Sequence, residues 1–227
     1  MDRINVKAAG VAGFFALGLL AVGALRFAQI AGDDPPALAA YATPLYIGLT
    51  IVAAILLVRI GVPLRRMGFG PPFTPLKFVA LAVAGVAVMQ GAGWLLEPMW
   101  QMLFGGGRNL GRFADVAASP AQLAQLLALS WTFAAFGEEL AFRIVLLRGT
   151  AFGLGDSRLA FGIALLAQAI VFGLVHAYQG PAGIAGTLIN GLILGGLVLI
   201  ARGSIWPAAL AHGLSNTIGI LQLYSAG

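Results

Sequence analysis

The 227-residue sequence contains no cysteine, and only 9% of its residues are charged. The absence of cysteine excludes disulfide bonds and thiol chemistry. Soluble domains contain about 25% charged residues. Because 60% of this chain is hydrophobic, its composition indicates an integral membrane protein, and the lipid bilayer is the first partner that we expect.

The apolar runs have the length of membrane-spanning helices, about 20 residues, and lack the alternation of strands. Turn-forming sequences such as GDDPP separate them. We therefore expect an all-α, polytopic membrane protein with about seven transmembrane helices. The predicted spans are residues 6–29, 42–60, 76–102, 121–150, 158–178, 182–201 and 205–224.

The net charge of +5 does not indicate nucleic-acid binding, because membrane proteins concentrate basic residues in their cytoplasmic loops. We expect no nucleic-acid partner. With a cytoplasmic N-terminus and an outer C-terminus, ten basic residues lie inside and three outside, which favours this orientation. The outer three are Arg26, Arg108 and Arg112, and the inner ten are Arg3, Lys7, Arg59, Arg65, Arg66, Lys77, Arg143, Arg148, Arg158 and Arg202.

Polar side chains interrupt the last four spans. The stretch FGEELAFRIV places Glu138 and Glu139 side by side, with Arg143 four residues after the second acid. Ionisable groups inside a span cost roughly 2.5–3.5 kcal/mol on insertion scales and usually mark function. The later interruptions are Gln168, His176, Asn190, His212 and Asn216, which include both histidines of the chain.

Helical spacing separates the two acids. Glu139 and Arg143 are four residues apart and can form an ion pair on one face. Glu138 points about 100° away round the helix and lacks that partner, so we expect it to share a cavity with the histidines. The same four-residue spacing recurs in two later pairs, Phe172 with His176 and His212 with Asn216.

A buried carboxylate beside a histidine can act as a general base that takes a proton from water. We expect Glu138 in that role, while His212 and Asn216 donate hydrogen bonds to a developing oxyanion. The pattern predicts hydrolysis of an acyl bond by activated water, without a covalent intermediate. A zinc site built from glutamate and two histidines is a geometric alternative.

Other interpretations are weaker. GLGD matches the Gly-x-Gly-Asp pattern of intramembrane aspartic proteases, but we expect Asp156 in a loop, and no second intramembrane Asp exists. Ser215 has no Asp or convincing base to make it a nucleophile. An ion-coupled or proton-coupled transporter would also place acids and histidines in spans, yet the internal symmetry typical of transporters is not evident.

Two features of the fifth and sixth spans indicate packing. Gly191 and Gly195 form a small-xxx-small pair that lets a neighbouring helix approach closely. Gln168 and Asn190 are expected to hydrogen-bond neighbouring helices.

The ordered motifs resemble those of the CPBP intramembrane proteases, which include CAAX-processing (Rce1-type) enzymes and bacteriocin-processing or immunity (Abi) proteins. The first motif is EELAFR, residues 138–143, and the second ends in FGLVH, residues 172–176. The third lies in RGSIWPAALAHGLSN, residues 202–216. The resemblance covers about residues 120–220, and it departs from the family at Ile144, where glycine is frequent.

The resemblance implies a glutamic-type endopeptidase without metal or cofactor, acting on peptides or the tails of membrane-associated proteins. It implies residues 1–115 as N-terminal helices with their loop and residues 116–227 as a catalytic core of the last four helices, within one membrane domain. We expect the cytoplasmic membrane of a bacterium. A non-catalytic immunity or partner-binding scaffold is the main alternative. The implied roles are water activation by Glu138 and His176, oxyanion binding by His212 and Asn216, and support by Glu139, Arg143 and Phe172.

Straight helices would keep the two histidines of this site apart. His176 would then lie near the outer end of the fifth span and His212 nearer the inner side, more than about 10 Å apart in depth. The hypothesis requires these two histidines to converge.

Overall fold

The structure, a computed structural model, describes residues 4–63, 67–70, 74–113 and 119–225. Arg3, Arg65 and Arg66 of the predicted charge asymmetry lie outside these ranges, as does the domain boundary predicted between residues 115 and 116. Within the described ranges, every regular element is helical. The predicted all-α class is therefore confirmed.

Seven main helices cover the described residues, close to the predicted spans. Six of them are α1 (Val6–Ala31), α2 (Ala42–Arg59), α3 (Pro75–Phe104), α5 (Arg158–Leu174), α6 (Gly180–Ile200) and α7 (Trp206–Ser225). The remaining helix, α4, is continuous over residues 120–153 and consists of Pro120–Leu129, a π-helical part Ser130–Arg148, and Gly149–Gly153. Short 3-10 turns span Ala37–Tyr41 and Ala177–Gln179.

Side-chain caps set several helix starts. The Asn5 side chain accepts a hydrogen bond from the Ala8 amide at 3.0 Å, and Ser157 accepts one from Ala160 at 3.1 Å. Ser119 caps α4, and Pro120 follows at the first helical position, where its missing N–H costs nothing. Such caps explain why these helices begin close to the predicted residues.

Within the described ranges, four helical segments are long and apolar enough to cross a membrane: Val6–Ala31, Ala37–Arg59, Pro75–Phe104 and Ala177–Ile200. Helix α5 is apolar but shorter, with 17 residues. Large apolar side chains remain exposed, as lipid-facing residues require; the Trp94 residue is 82% exposed. These features characterise a polytopic membrane protein.

Helix α4 lies at the centre of the packing and contacts α1, α2, α5, α6 and α7. Helices α5 and α6 approach closely at the predicted small residues. A Cβ atom added to Gly191 would lie 3.1 Å from the Cα atom of Ala169. The Gln168 side chain donates a hydrogen bond to the Gly191 carbonyl at 2.9 Å. The packing roles predicted for the glycines and for Gln168 are therefore confirmed.

The end of the fifth helix corrects the prediction. Helix α5 stops at Leu174 and not at residue 178, so His176 lies in a turn beyond the helix. The His176 amide bonds the Gly173 carbonyl at 3.0 Å, and the Gln179 amide bonds the His176 carbonyl at 2.9 Å. Gly180 then adopts a φ of 78°, which favours glycine and starts α6 in a new direction.

Candidate active site

The π-helical part of α4 carries both acids of the first motif. Glu139 and Arg143 are completely buried, and an Arg143 guanidinium nitrogen lies 3.0 Å from a Glu139 carboxylate oxygen. The expected ion pair is thus present. The Glu138 side chain is 19% exposed and lines a cavity. The two adjacent acids therefore occupy different surroundings.

Glu139 also contacts α7, which the sequence did not indicate. Its Oε1 atom lies 3.1 Å from Nδ1 of His212. An ionised carboxylate can only accept hydrogen bonds, so Nδ1 is the nitrogen that donates. The Nε2 atom of the same ring lies 3.8 Å from Oε2 of Glu138. His212 therefore stands between the two glutamates.

His176 lies beside the other carboxylate oxygen of Glu138, Oε1. Its Nδ1 atom lies 2.7 Å from the Phe172 carbonyl oxygen, an acceptor, so Nδ1 carries the hydrogen. In the neutral ring the Nε2 atom then has a free lone pair. This atom lies 3.9 Å from Oε1 of Glu138. The turn after α5 thus fixes both the position and the tautomer of the ring.

Phe172 joins the parts of the cluster. Its ring makes edge contacts with His176, at 5.0 Å between centroids, and with His212, at 6.1 Å. The Arg143 guanidinium lies 4.8 Å from the Phe172 ring centroid, within cation–π range. Phe172 is itself almost fully buried. This packing holds both imidazoles and the guanidinium in fixed relative positions.

A cavity of about 1230 Å³ opens beside these groups. Glu138, His176, His212 and Asn216 all line it. Asn216 is half-buried on α7, one helical turn after His212. The four residues predicted to be catalytic therefore face one space, which is large enough for several residues of a peptide.

The two histidines converge despite their separation along the helices. Each has its Nε2 atom within 4 Å of a Glu138 carboxylate oxygen. Parallel, untilted helices would hold the two rings more than about 10 Å apart in depth. The two rings therefore converge, as the hypothesis requires, and His176 reaches Glu138 from the turn beyond the end of α5.

Some residues at the site were missed in the sequence. Tyr46 of α2 lines the cavity and donates a hydrogen bond to the Gly137 carbonyl at 3.0 Å, directly before Glu138. Gln90 of α3 donates to the Ser215 hydroxyl at 2.9 Å, directly before Asn216. Each is a polar residue within a long apolar stretch, which was the signal that the sequence offered.

The two rival hydrolase motifs, GLGD and the Ser215 hydroxyl, do not form a catalytic arrangement in the cavity. Asp156 follows α4 in a turn, with a φ of 52°, and is not a cavity-lining residue. Ser215 accepts its hydrogen bond from an amide and not from a base. Asn190 lines the cavity.

The fold and the site define an all-helical, polytopic membrane protein with a buried carboxylate–histidine cluster. Residues 120–218 match the family model described as Type II CAAX prenyl endopeptidase Rce1-like. Residues 120–218 are thus similar to the Rce1-like domain of the CPBP family, as the sequence motifs predicted. That model describes a CAAX prenyl endopeptidase, and the match covers 99 of the 227 residues. No curated protein and no solved structure matches the chain.

Proposed function

We propose that this protein is a metal-independent, glutamic-type intramembrane endopeptidase that hydrolyses peptide bonds in peptides or in the tails of membrane-associated proteins. One observation carries the proposal. The two carboxylate oxygens of Glu138 face two different imidazole Nε2 atoms, at 3.9 Å for His176 and 3.8 Å for His212, on the wall of a cavity.

The first of these gaps suits a water molecule. Oε1 of Glu138 and Nε2 of His176 are both acceptors, and they lie too far apart for a direct hydrogen bond. One water can donate a hydrogen to each of them. Its oxygen lone pairs then point away from both groups, which orients the water as a nucleophile. In this mechanism Glu138 is the general base and His176 orients the water.

His212 and Asn216 supply the hydrogen-bond donors for the oxyanion. Since Nδ1 of His212 donates to Glu139, a hydrogen on Nε2 makes the ring an imidazolium. The two glutamates and Arg143 then balance its charge, so that the buried cluster is neutral overall. The His212 Nε2–H group and the Asn216 amide donate to the oxygen of the tetrahedral intermediate.

The proposed reaction proceeds without a covalent enzyme intermediate. Water attacks the peptide carbonyl carbon as Glu138 takes one of its protons, and the carbonyl oxygen becomes the oxyanion. The C–N bond then breaks as the carbonyl re-forms. The proton held by Glu138 passes to the leaving amine, which restores the carboxylate base.

The proposal includes the arrangement of the chain in the membrane. All seven helices span the bilayer of a bacterial cytoplasmic membrane, with the N-terminus in the cytoplasm and the C-terminus outside. Residues 116–227 supply the catalytic groups. Residues 1–115 complete the cavity wall, because α1, α2 and α3 all contribute lining residues.

The test is cleavage of a peptide library by the purified protein in detergent, with products identified by mass spectrometry. We expect wild-type cleavage to continue in the presence of a chelator and to be lost in His212→Gln. Cleavage abolished by the chelator and restored by zinc would replace the proposal with the zinc site. A folded protein that binds peptides without cleaving them would be a partner-binding scaffold.

A further inference from the structure

Three arginines gather at one end of the cavity. Arg26 comes from α1, and Arg108 and Arg112 come from the segment after α3. They are the only basic residues that the predicted topology assigns to the outer side, and all three line the cavity. None of them falls within residues 120–218, so the family match does not account for them.

The segment after α3 is hydrogen-bonded to the turn next to the candidate active site. The Asn109 amide bonds the Gln179 carbonyl at 2.9 Å, in the turn that holds His176. The Arg108 guanidinium rests against α6 at Gly186, where an added Cβ atom would lie 2.8 Å from it. A glycine therefore makes room for this side chain.

The side-chain partners of Arg26 and Arg112 are neutral. Arg26 donates weak hydrogen bonds to Gln29 and Thr43, at 3.3 and 3.4 Å. The Arg112 guanidinium lies 4.8 Å from the Phe113 ring centroid and 5.0 Å from that of Tyr178.

One acid shares this end of the cavity. Glu97 lines it too and accepts a hydrogen bond from Gln101 at 3.3 Å. Among the described residues, no carboxylate lies within ion-pair distance of any of the three arginines. The cluster therefore has excess positive charge facing an open space.

The arginines lie within reach of the reacting centre. The Tyr178 ring lies between Arg112 and His176, with 5.7 Å between its centroid and that of the histidine. His176 in turn lies 3.9 Å from Glu138. Together these separations place the Arg112 guanidinium and the Glu138 carboxylate no farther apart than the length of about five extended residues.

We infer that Arg26, Arg108 and Arg112 form a subsite for a carboxylate of the peptide substrate, located within about five residues of the scissile bond. This inference rests on the proposed function. Guanidinium groups bind carboxylates through paired, charge-assisted hydrogen bonds and are readily desolvated. The carboxylate comes either from an Asp or Glu side chain or from the free C-terminus of the substrate.

Three matched fluorogenic peptides test the inference and separate the two sources. They share one cleavable core and differ near the end: a neutral amidated peptide, the same peptide with a free C-terminal carboxylate, and an amidated peptide with one Glu. We expect kcat/KM for at least one carboxylate peptide to exceed that of the neutral peptide by about tenfold to a hundredfold.

The Arg112→Gln and Arg108→Gln variants should each reduce this preference toward one. Arg59→Gln is the matched control, because Arg59 is an exposed arginine at the opposite end of the bundle. The thermal unfolding temperature of each variant checks its fold. Equal kcat/KM for all three peptides in the wild type, or an undiminished preference in both cavity variants, would overturn the subsite.

Binding distinguishes this inference from the proposed function. Fluorescence anisotropy with the Glu138→Gln variant measures peptide affinity without cleavage. A carboxylate preference in binding, lost in Arg112→Gln but present in a protein that cleaves nothing, would retain the subsite and reject the peptidase. Cleavage with no carboxylate preference, combined with activity that depends on phosphatidylglycerol through Arg112, would retain the peptidase and assign the cluster to lipid.

Discussion

Glu139 accepts a hydrogen bond from Nδ1 of His212 at 3.1 Å, and this contact joins α4 to α7 beneath the cavity. The carboxylate is fully buried and also pairs with Arg143. Glu139 therefore determines which His212 nitrogen must carry a hydrogen. In the proposed mechanism its negative charge also offsets the positive charge of the His212 imidazolium. Glu139 acts through His212 and is a positioning residue.

The Glu139→Gln variant tests this role, because the amide can still accept the Nδ1–H hydrogen bond but carries no charge. We expect kcat to fall by about 10²–10³-fold, since an oxyanion donor is weakened, while KM changes little. We also expect a loss of stability of about 3–5 kcal/mol, because Arg143 is left as a buried, unpaired charge.

The double variant Glu139→Gln with Arg143→Gln separates the two effects. It should recover part of the stability in a thermal unfolding measurement and recover none of the activity. Recovery of kcat together with stability would mean that Glu139 serves the fold alone.

Tyr46, outside the family segment, contacts the residue before Glu138, the proposed general base. Its hydroxyl donates to the Gly137 carbonyl at 3.0 Å. Removing the hydroxyl in Tyr46→Phe costs one hydrogen bond, so we expect kcat to fall about two- to tenfold at unchanged KM. Tyr41→Phe is the control, because Tyr41 is 60% exposed in the turn before α2. Equal rates for both variants would contradict the role of Tyr46.

At Gly173, α5 packs closely against the backbone of α6. An added Cβ atom would lie 2.8 Å from the Ile184 carbonyl oxygen, whereas one added to Gly162 on the same helix meets nothing within 4 Å. We expect Gly173→Ala to destabilise the fold by about 1–3 kcal/mol and Gly162→Ala to stabilise it by up to about 1 kcal/mol. Thermal unfolding in one detergent compares them, and shifts of the same sign would refute the close contact.

Helix positions were predictable because they depend on local signals. Long apolar runs, the caps Asn5 and Ser157, and the turn sequence GDDPP lie within a few residues of the boundaries that they determine. The ion pair of Glu139 with Arg143 was predictable for the same reason, since helical spacing alone brings the two side chains together.

Contacts between distant segments were not predictable in this way. The bond from His212 to Glu139 joins residues 73 positions apart, and its geometry depends on how α4 and α7 cross. The approach of His176, in the turn after α5, to Glu138 on α4 joins residues that are 38 positions apart. The meeting of Arg26 with Arg108 and Arg112 likewise depends on tertiary structure.

The activity of Glu138→Gln tests the central claim most directly. The substitution keeps the size of the side chain and removes its ability to take a proton from water. For a folded variant with the unfolding temperature and peptide affinity of the wild type, we predict that kcat for peptide hydrolysis falls about 10²–10⁴-fold. Hydrolysis at the wild-type rate by that variant would contradict the assignment of Glu138 as the base.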